Sequence, residues 1–201
     1  MLLSRILSKA NSIWLKSSYP FDSFGNGVSI HFSCEIQRTQ ARRMSIGDRV
    51  LLDREVWLNA PVPSRAMAPV LFIGNGSNIG RRSVISAKNE IRIQENVLFA
   101  PAVFVTDHNH EYKDPTRPIS EQGVTDGGRI VIEKNCWLGY GSMVIAARGT
   151  VVIGRNSVIG AYSVVTESCA PYSVLVGNPA RVARRLDPES GQWKKQTRVS
   201  V

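Results

Sequence analysis

A six-residue pattern of aliphatic, small, any, any, small, any recurs through most of this chain and limits its fold more than any other feature. It appears as Ile46-Gly47-Asp48-Arg49-Val50, Ile73-Gly74-Asn75-Gly76-Ser77, Ile79-Gly80-Arg81-Arg82-Ser83, Leu138-Gly139-Tyr140-Gly141-Ser142, Ile153-Gly154-Arg155-Asn156-Ser157 and Ile159-Gly160-Ala161-Tyr162-Ser163. The aliphatic positions group in threes: Ile46, Leu52, Leu58; Ile73, Ile79, Ile85; Ile93, Phe99, Val105; Ile132, Leu138, Val144; Ile153, Ile159, Val165. Each hexapeptide supplies a short strand and a tight corner with its aliphatic side chain inside. Three of them close one triangular coil, and stacked coils bury a continuous aliphatic column. Gly and Asn at the corners accept left-handed backbone conformations. Helical periodicity is absent between about residues 28 and 178. The expected class is therefore all-β, a parallel β-helix shaped as a triangular prism.

Two stretches interrupt the count. Asn59 to Phe72 carries Pro61, Pro63 and Pro69, and Asp107 to Arg129 is polar, with Pro115, Pro118, Gly123, Gly127 and Gly128. Both read as loops extruded from the prism, and long loops in a regular solenoid are usually functional. The chain divides into an N-terminal helix and irregular cap over 1–45, a β-helix over 46–179 with its extruded loop at 107–129, and a C-terminal part over 180–201. That last part is expected to hold a short helix at Ala180 to Leu186 and a basic tail. A length of 201 residues with 43% hydrophobic content suits one domain.

Met1 to Trp14 places Leu2, Leu3, Ile6, Leu7, Ala10, Ile13 and Trp14 at helical spacing, with Arg5 and Lys9 between them. The segment is too short and interrupted to span a bilayer, and it lacks the unbroken apolar core of a secretory signal. A helix capping one end of the domain is expected, with peripheral membrane contact as the alternative. The formal charge of +9 comes from scattered Lys and Arg with no accompanying aromatic-plus-basic motif, so no nucleic-acid partner is expected. Cys34, Cys136 and Cys169 form no CxxC pair and read as small buried residues in a reducing compartment, hence a cytoplasmic location.

Several motifs go beyond the repeat: Thr106-Asp107-His108-Asn109-His110, Asn135-Cys136-Trp137 within Ile132 to Gly139, the run from Val158 to Thr166, and Val176-Gly177-Asn178-Pro179-Ala180. With these, residues 70 to 186 resemble the hexapeptide-repeat acyltransferases, in the branch of maltose and galactoside acetyltransferases and polysaccharide O-acetyltransferases. The resemblance implies a left-handed β-helix, acetyl-CoA as acyl donor, a homotrimer with grooves between prisms, a sugar or glycan acceptor, and no metal. It implies direct transfer with a histidine at the base of the extruded loop as general base. His110 and His108 are the candidates. Counting from Val105 puts the family's histidine on the sixth position and favours His110, leaving His108 to hold the acceptor or orient the base. Asp107, Asn109 and Trp137 are expected at the acceptor. Tyr140, Ala161 and Thr166 match corners along the pantetheine arm, Tyr140 being larger than the residue often found there, and Arg181 and Arg184 match the basic positions for the nucleotide phosphates. The competing readings are a non-catalytic β-helix scaffold and an N-acetyltransferase for an amino sugar or antibiotic. A three-histidine metal enzyme on the same prism would need a third ligand close to His108 and His110, and His31 lies about four coils away.

Overall fold

The computed structural model describes residues 2–61 and 68–196, and the side chains of the N-terminal helix from residue 6 onward. Pro63 and the tail from 197 to 201 lie outside the described residues. The chain opens with α1 (Leu2–Ser18) and then winds into a left-handed β-helix. The first coil comprises β1 (Ser23–Phe24), β2 (Ser29–Ile30) and β3 (Glu35–Ile36). The second holds β4 (Met44–Ile46), β5 (Leu51–Leu52) and β6 (Trp57–Asn59), and the third β7 (Leu71–Ile73), β8 (Asn78–Ile79) and β9 (Val84–Ser86). The fourth holds β10 (Glu90–Ile93), β11 (Leu98–Phe99) and β12 (Phe104–Thr106). The fifth holds β13 (Gly127–Ile132), β14 (Trp137–Leu138) and β15 (Met143–Ile145), and the sixth β16 (Arg148–Ile153), β17 (Val158–Ile159) and β18 (Val164–Val165). Face A is β1-β4-β7-β10-β13-β16, face C is β3-β6-β9-β12-β15-β18, and face B starts β2-β5-β8-β11-β14-β17.

Register explains why a period of six works. Ile46, Ile73, Ile93, Ile132 and Ile153 stack directly on face A, as Ile36, Leu58, Ile85, Val105, Val144 and Val165 do on face C. All of these side chains are buried. Between the columns, corner serines point inward and meet backbone groups that the corners leave unpaired. Ser77 Oγ accepts from Val97 N, Ser157 Oγ from Ser173 N and Ser163 Oγ from Gly177 N, at 3.0 to 3.1 Å. Buried polar groups thus find partners without breaking the aliphatic column.

Two ends of the prism differ from the sequence-based expectation. The first coil begins at Ser23, so Phe24, Ile30 and Ile36 extend the columns upstream of residue 46. At the other end, residues 180–186 are not helical. β19 (Ser173–Val176) continues face B parallel to β17, then β20 (Arg181–Leu186) returns antiparallel to it and β21 (Trp193–Lys195) adds outside. The open edge of face B needs hydrogen-bond partners, which a strand supplies and a helix would not, and the charged outer strands discourage further edge pairing.

Candidate active site

Along faces A to B and B to C the aliphatic positions are always six residues apart, so every insertion in the prism falls at the corner between faces C and A. The short 3₁₀ turn Ala41–Arg43, the Pro61 segment, the turn at Lys88-Asn89 and the extruded loop at 107–126 all line this edge. Among the described residues the insertions between prism strands therefore gather on one edge, where functional groups are expected.

Asp107 follows β12 directly and is fully buried. Its Oδ1 accepts Lys88 N at 2.8 Å, and its Oδ2 accepts Asn89 N at 2.8 Å and Glu90 N at 2.9 Å. A carboxylate taken out of water requires such donors. The same Oδ1 lies 2.9 Å from His108 Nδ1. A carboxylate offers only acceptors, so Nδ1 carries a proton, and in the neutral ring Nε2 is then the atom with the lone pair. The His108 side chain is 10% exposed. Thr106 Oγ1 donates to His108 O at 2.9 Å and fixes the main chain below the ring.

The loop is stitched shut at its base. Asn109 O accepts Thr125 N at 2.8 Å, Asn109 N donates to Thr125 Oγ1 at 3.1 Å, and Lys88 Nζ donates to Thr125 O. Gly127, at φ +77°, brings the returning strand against the dyad, where an added Cβ would lie 2.3 Å from Asp107 O and 3.1 Å from His108 Cβ. His110 lies further out in a bridge with Val124 and is exposed. Among the described residues its ring has no hydrogen-bond partner. The repeat count that favours His110 runs past Thr106, where the chain has already left the prism.

Beside the dyad, a cleft of about 630 Å³ runs along face A, lined by Arg43, Lys88, Asn89, Gly128, Arg129 and Thr150 among others. Sequence reading missed Arg43 as a site residue. It is 2% exposed, donates through Nη1 to Pro61 O and through Nη2 to Lys88 O at 2.9 Å, and leaves Nε without a partner among the described residues. Burial pushes its pKa down while the Asp107 charge opposes that shift. The signal for Lys88 and Asn89 was the two-residue excess between Ile85 and Ile93.

The remaining expected site residues do not all meet in one chain. Thr166 follows β18 on the C–A edge, two coils beyond Thr106 by register. Tyr140 and Ala161 sit on the B–C edge, where Tyr140 packs edge-on against Tyr162 at 5.4 Å. Trp137 projects from the middle of face B, 49% exposed, between Leu98 and Val158. Arg181 and Arg184 are exposed on β20, and Arg181 Nη1 lies 3.8 Å from Glu167 Oε2.

A family model described as the hexapeptide repeat of succinyl-transferase matches residues 129–181. A Mycobacterium tuberculosis protein named as an acetyltransferase is 32% identical over 161 residues, 80% of this chain and 48% of that one. An Escherichia coli K12 protein named for O-acetyl transfer in lipopolysaccharide biosynthesis is 30% identical over 132 residues, 63% of this chain and 66% of that one. The chain thus spans about half to two thirds of these relatives. An N-acyltransferase of Bacillus cereus, solved with dTDP and 3-hydroxybutyryl-CoA, shares the fold at a TM-score of 0.69 and 23% identity, with 88% of each chain covered.

Proposed function

Because the chain belongs to the hexapeptide-repeat acyltransferase family, we propose that it transfers an acetyl group from acetyl-CoA to a hydroxyl of a sugar or glycan, with His108 as general base. The observation that carries this reading is the Asp107–His108 pair at 2.9 Å, which in the neutral ring leaves Nε2 free to take a proton, with the Lys88-Asn89 turn that holds Asp107 also lining the neighbouring cleft. His108 Nε2 removes the acceptor hydroxyl proton as the oxygen attacks the thioester carbonyl carbon. The tetrahedral intermediate then collapses, the carbon–sulfur bond breaks, and the CoA thiolate recovers the proton from the imidazolium. Backbone N–H groups at the corner are the candidate donors to the oxyanion. Asp107 holds the tautomer throughout.

Arg43, Lys88, Asn89 and Arg129 are the groups we assign to the acceptor. Tyr140 and Ala161 lie on a different edge from His108, so a donor groove that touches all three needs a second copy of the chain. Exposed apolar side chains stand in register on two faces and support such packing: Leu98 and Trp137 on face B, Trp57 and Met143 on face C. We therefore assign a homotrimer with three shared sites. Among the described residues no helix is long and apolar enough to cross a membrane.

The test is titration of the chain with acetyl-CoA, followed by release of free CoA thiol in the presence of a panel of sugars and amino sugars. Donor binding with thiol release that requires a hydroxyl acceptor supports the reading. Release only with amino sugars transfers the same site to N-acetylation, and failure to bind acetyl-CoA leaves the scaffold reading in its place.

A further inference from the structure

α1 lies over the open end of face B in an inverted orientation. Its inward side is small and polar, with Ser8 and Ser12 buried beside Leu15. β2 has β5 on one side only, and the helix satisfies its other side. Asn11 Nδ2 donates to Ile30 O at 3.1 Å, and Ile30 N donates to Ser12 Oγ at 2.7 Å, whose hydroxyl donates to Ser8 O at 2.8 Å. Capping backbone groups requires hydrogen-bonding side chains, so the polar stripe of the helix must face the protein.

The apolar stripe is then forced outward. Ile6 is 54% exposed, Leu7 44%, Ile13 71% and Trp14 54%. Spacings of one and seven put these four on one arc of the helix surface. Scattered exposed apolar residues are ordinary, but a contiguous arc on the solvent side of an amphipathic helix marks an interaction surface. Phe32, 53% exposed, projects at the adjoining corner of the first coil. Lys9 and Lys16, seven residues apart and both exposed, border the arc. From Met1 to Phe21 the chain carries Arg5, Lys9 and Lys16 and no Asp or Glu.

We propose that α1 docks the protein on an anionic lipid surface, with Ile6, Leu7, Ile13 and Trp14 in the acyl boundary and Lys9 and Lys16 at the headgroups. Basic residues along one border of an arc of Trp, Leu and Ile match an interfacial helix lying in the plane of the membrane. A second copy is the weaker fit, because it would bring together two helices that carry basic and no acidic side chains, in a protein of net charge +9. The inference does not depend on the catalytic reading.

The test is co-sedimentation of the full chain with phosphatidylcholine vesicles, with and without phosphatidylglycerol. Binding is expected to the anionic vesicles, to fall with added salt, and to weaken about tenfold in Ile13→Gln, the size expected for withdrawing one large apolar side chain. Lys9→Glu with Lys16→Glu should abolish the preference for phosphatidylglycerol. Ile13 is mostly solvent-exposed, so its substitution leaves the core intact, which circular dichroism checks. Absence of binding to anionic vesicles, or binding indifferent to Ile13→Gln, overturns the proposal. So does a mass by light scattering that drops in Ile13→Gln without any vesicle binding, which would identify a second copy as the occupant.

Discussion

His108 Nδ1 lies 2.9 Å from Oδ1 of Asp107, a carboxylate with no exposed surface that already accepts three backbone N–H groups from the turn at 88–90. The ring is thus oriented by a group that is itself immobilised.

The two histidines should therefore behave differently. His108→Ala is expected to lower kcat by about 10²–10⁴-fold, the usual worth of a placed general base, with acetyl-CoA affinity nearly unchanged. His110→Ala should leave kcat within about twofold, since its ring is exposed on the loop. Steady-state kinetics on both variants with one acceptor decides. The reverse pattern would return the base to His110.

Asp107→Asn separates orientation from packing. The substitution preserves shape but leaves one acceptor oxygen where two served four donors, and it adds an NH₂ facing N–H groups. Loss of about 1–3 kcal/mol is expected from the unsatisfied buried donors, read as a lower urea midpoint. The kcat should fall as well, because the amide no longer selects the Nδ1–H tautomer. A variant with reduced stability and full kcat in the folded fraction would make Asp107 purely structural.

Gly127→Ala tests the closeness of the returning strand. At φ +77° an alanine is strained by about 1–3 kcal/mol, and its Cβ would collide with Asp107 O. Hydrogen exchange should accelerate at 107–128 while the strands of the first three coils stay protected. Uniform acceleration over the whole prism would contradict a local role.

Most of the prism was legible because the six-residue period survives in the aliphatic columns, and those columns are the core. The first coil was not, since it opens on the aromatic Phe24, and Ile30 and Ile36 are followed by His31 and Gln37, so no aliphatic-glycine pair starts the count upstream of Ile46-Gly47. Ala180 to Leu186 contains acceptable helix formers, and only the unpaired edge of β19 selects a strand, a tertiary demand that local sequence does not carry. At the site, the loop and its histidines were visible, but the contacts that distinguish His108 from His110 were not. Asp107 sits next to His108 in sequence, yet what holds its carboxylate is the turn at 88–90, contributed by the preceding coil.

The cysteines give a pH prediction. Burial pushes the thiols of Cys34 and Cys136 up from 9.0 to about 11, and raises Cys169 as well. A raised folded-state pKa means that the unfolded chain releases these protons first. Stability should be level with respect to these groups below pH 9 and fall as pH rises from 9 towards 11. Urea midpoints across this range should show a smaller decline in Cys136→Ala than in the unaltered chain. Equal declines would place the alkaline loss in other groups.

The basic strand β20 yields the last test. Arg181 is partly committed, 3.8 Å from Glu167 and donating to Ala180 O at 3.0 Å, whereas the Arg184 guanidinium makes no ion pair or side-chain hydrogen bond among the described residues. If β20 receives the nucleotide phosphates, Arg184 has more to give, since it surrenders no existing partner on binding. Arg184→Ala should raise KM for acetyl-CoA about tenfold, the scale of one charge-assisted contact, with kcat nearly constant. Arg181→Ala should have a smaller effect. Both effects should shrink with a donor lacking the 3′-phosphate, and with added salt. Equal KM changes for the two donors would move the phosphate site away from β20 and leave Arg184 as a solvated charge on an outer strand.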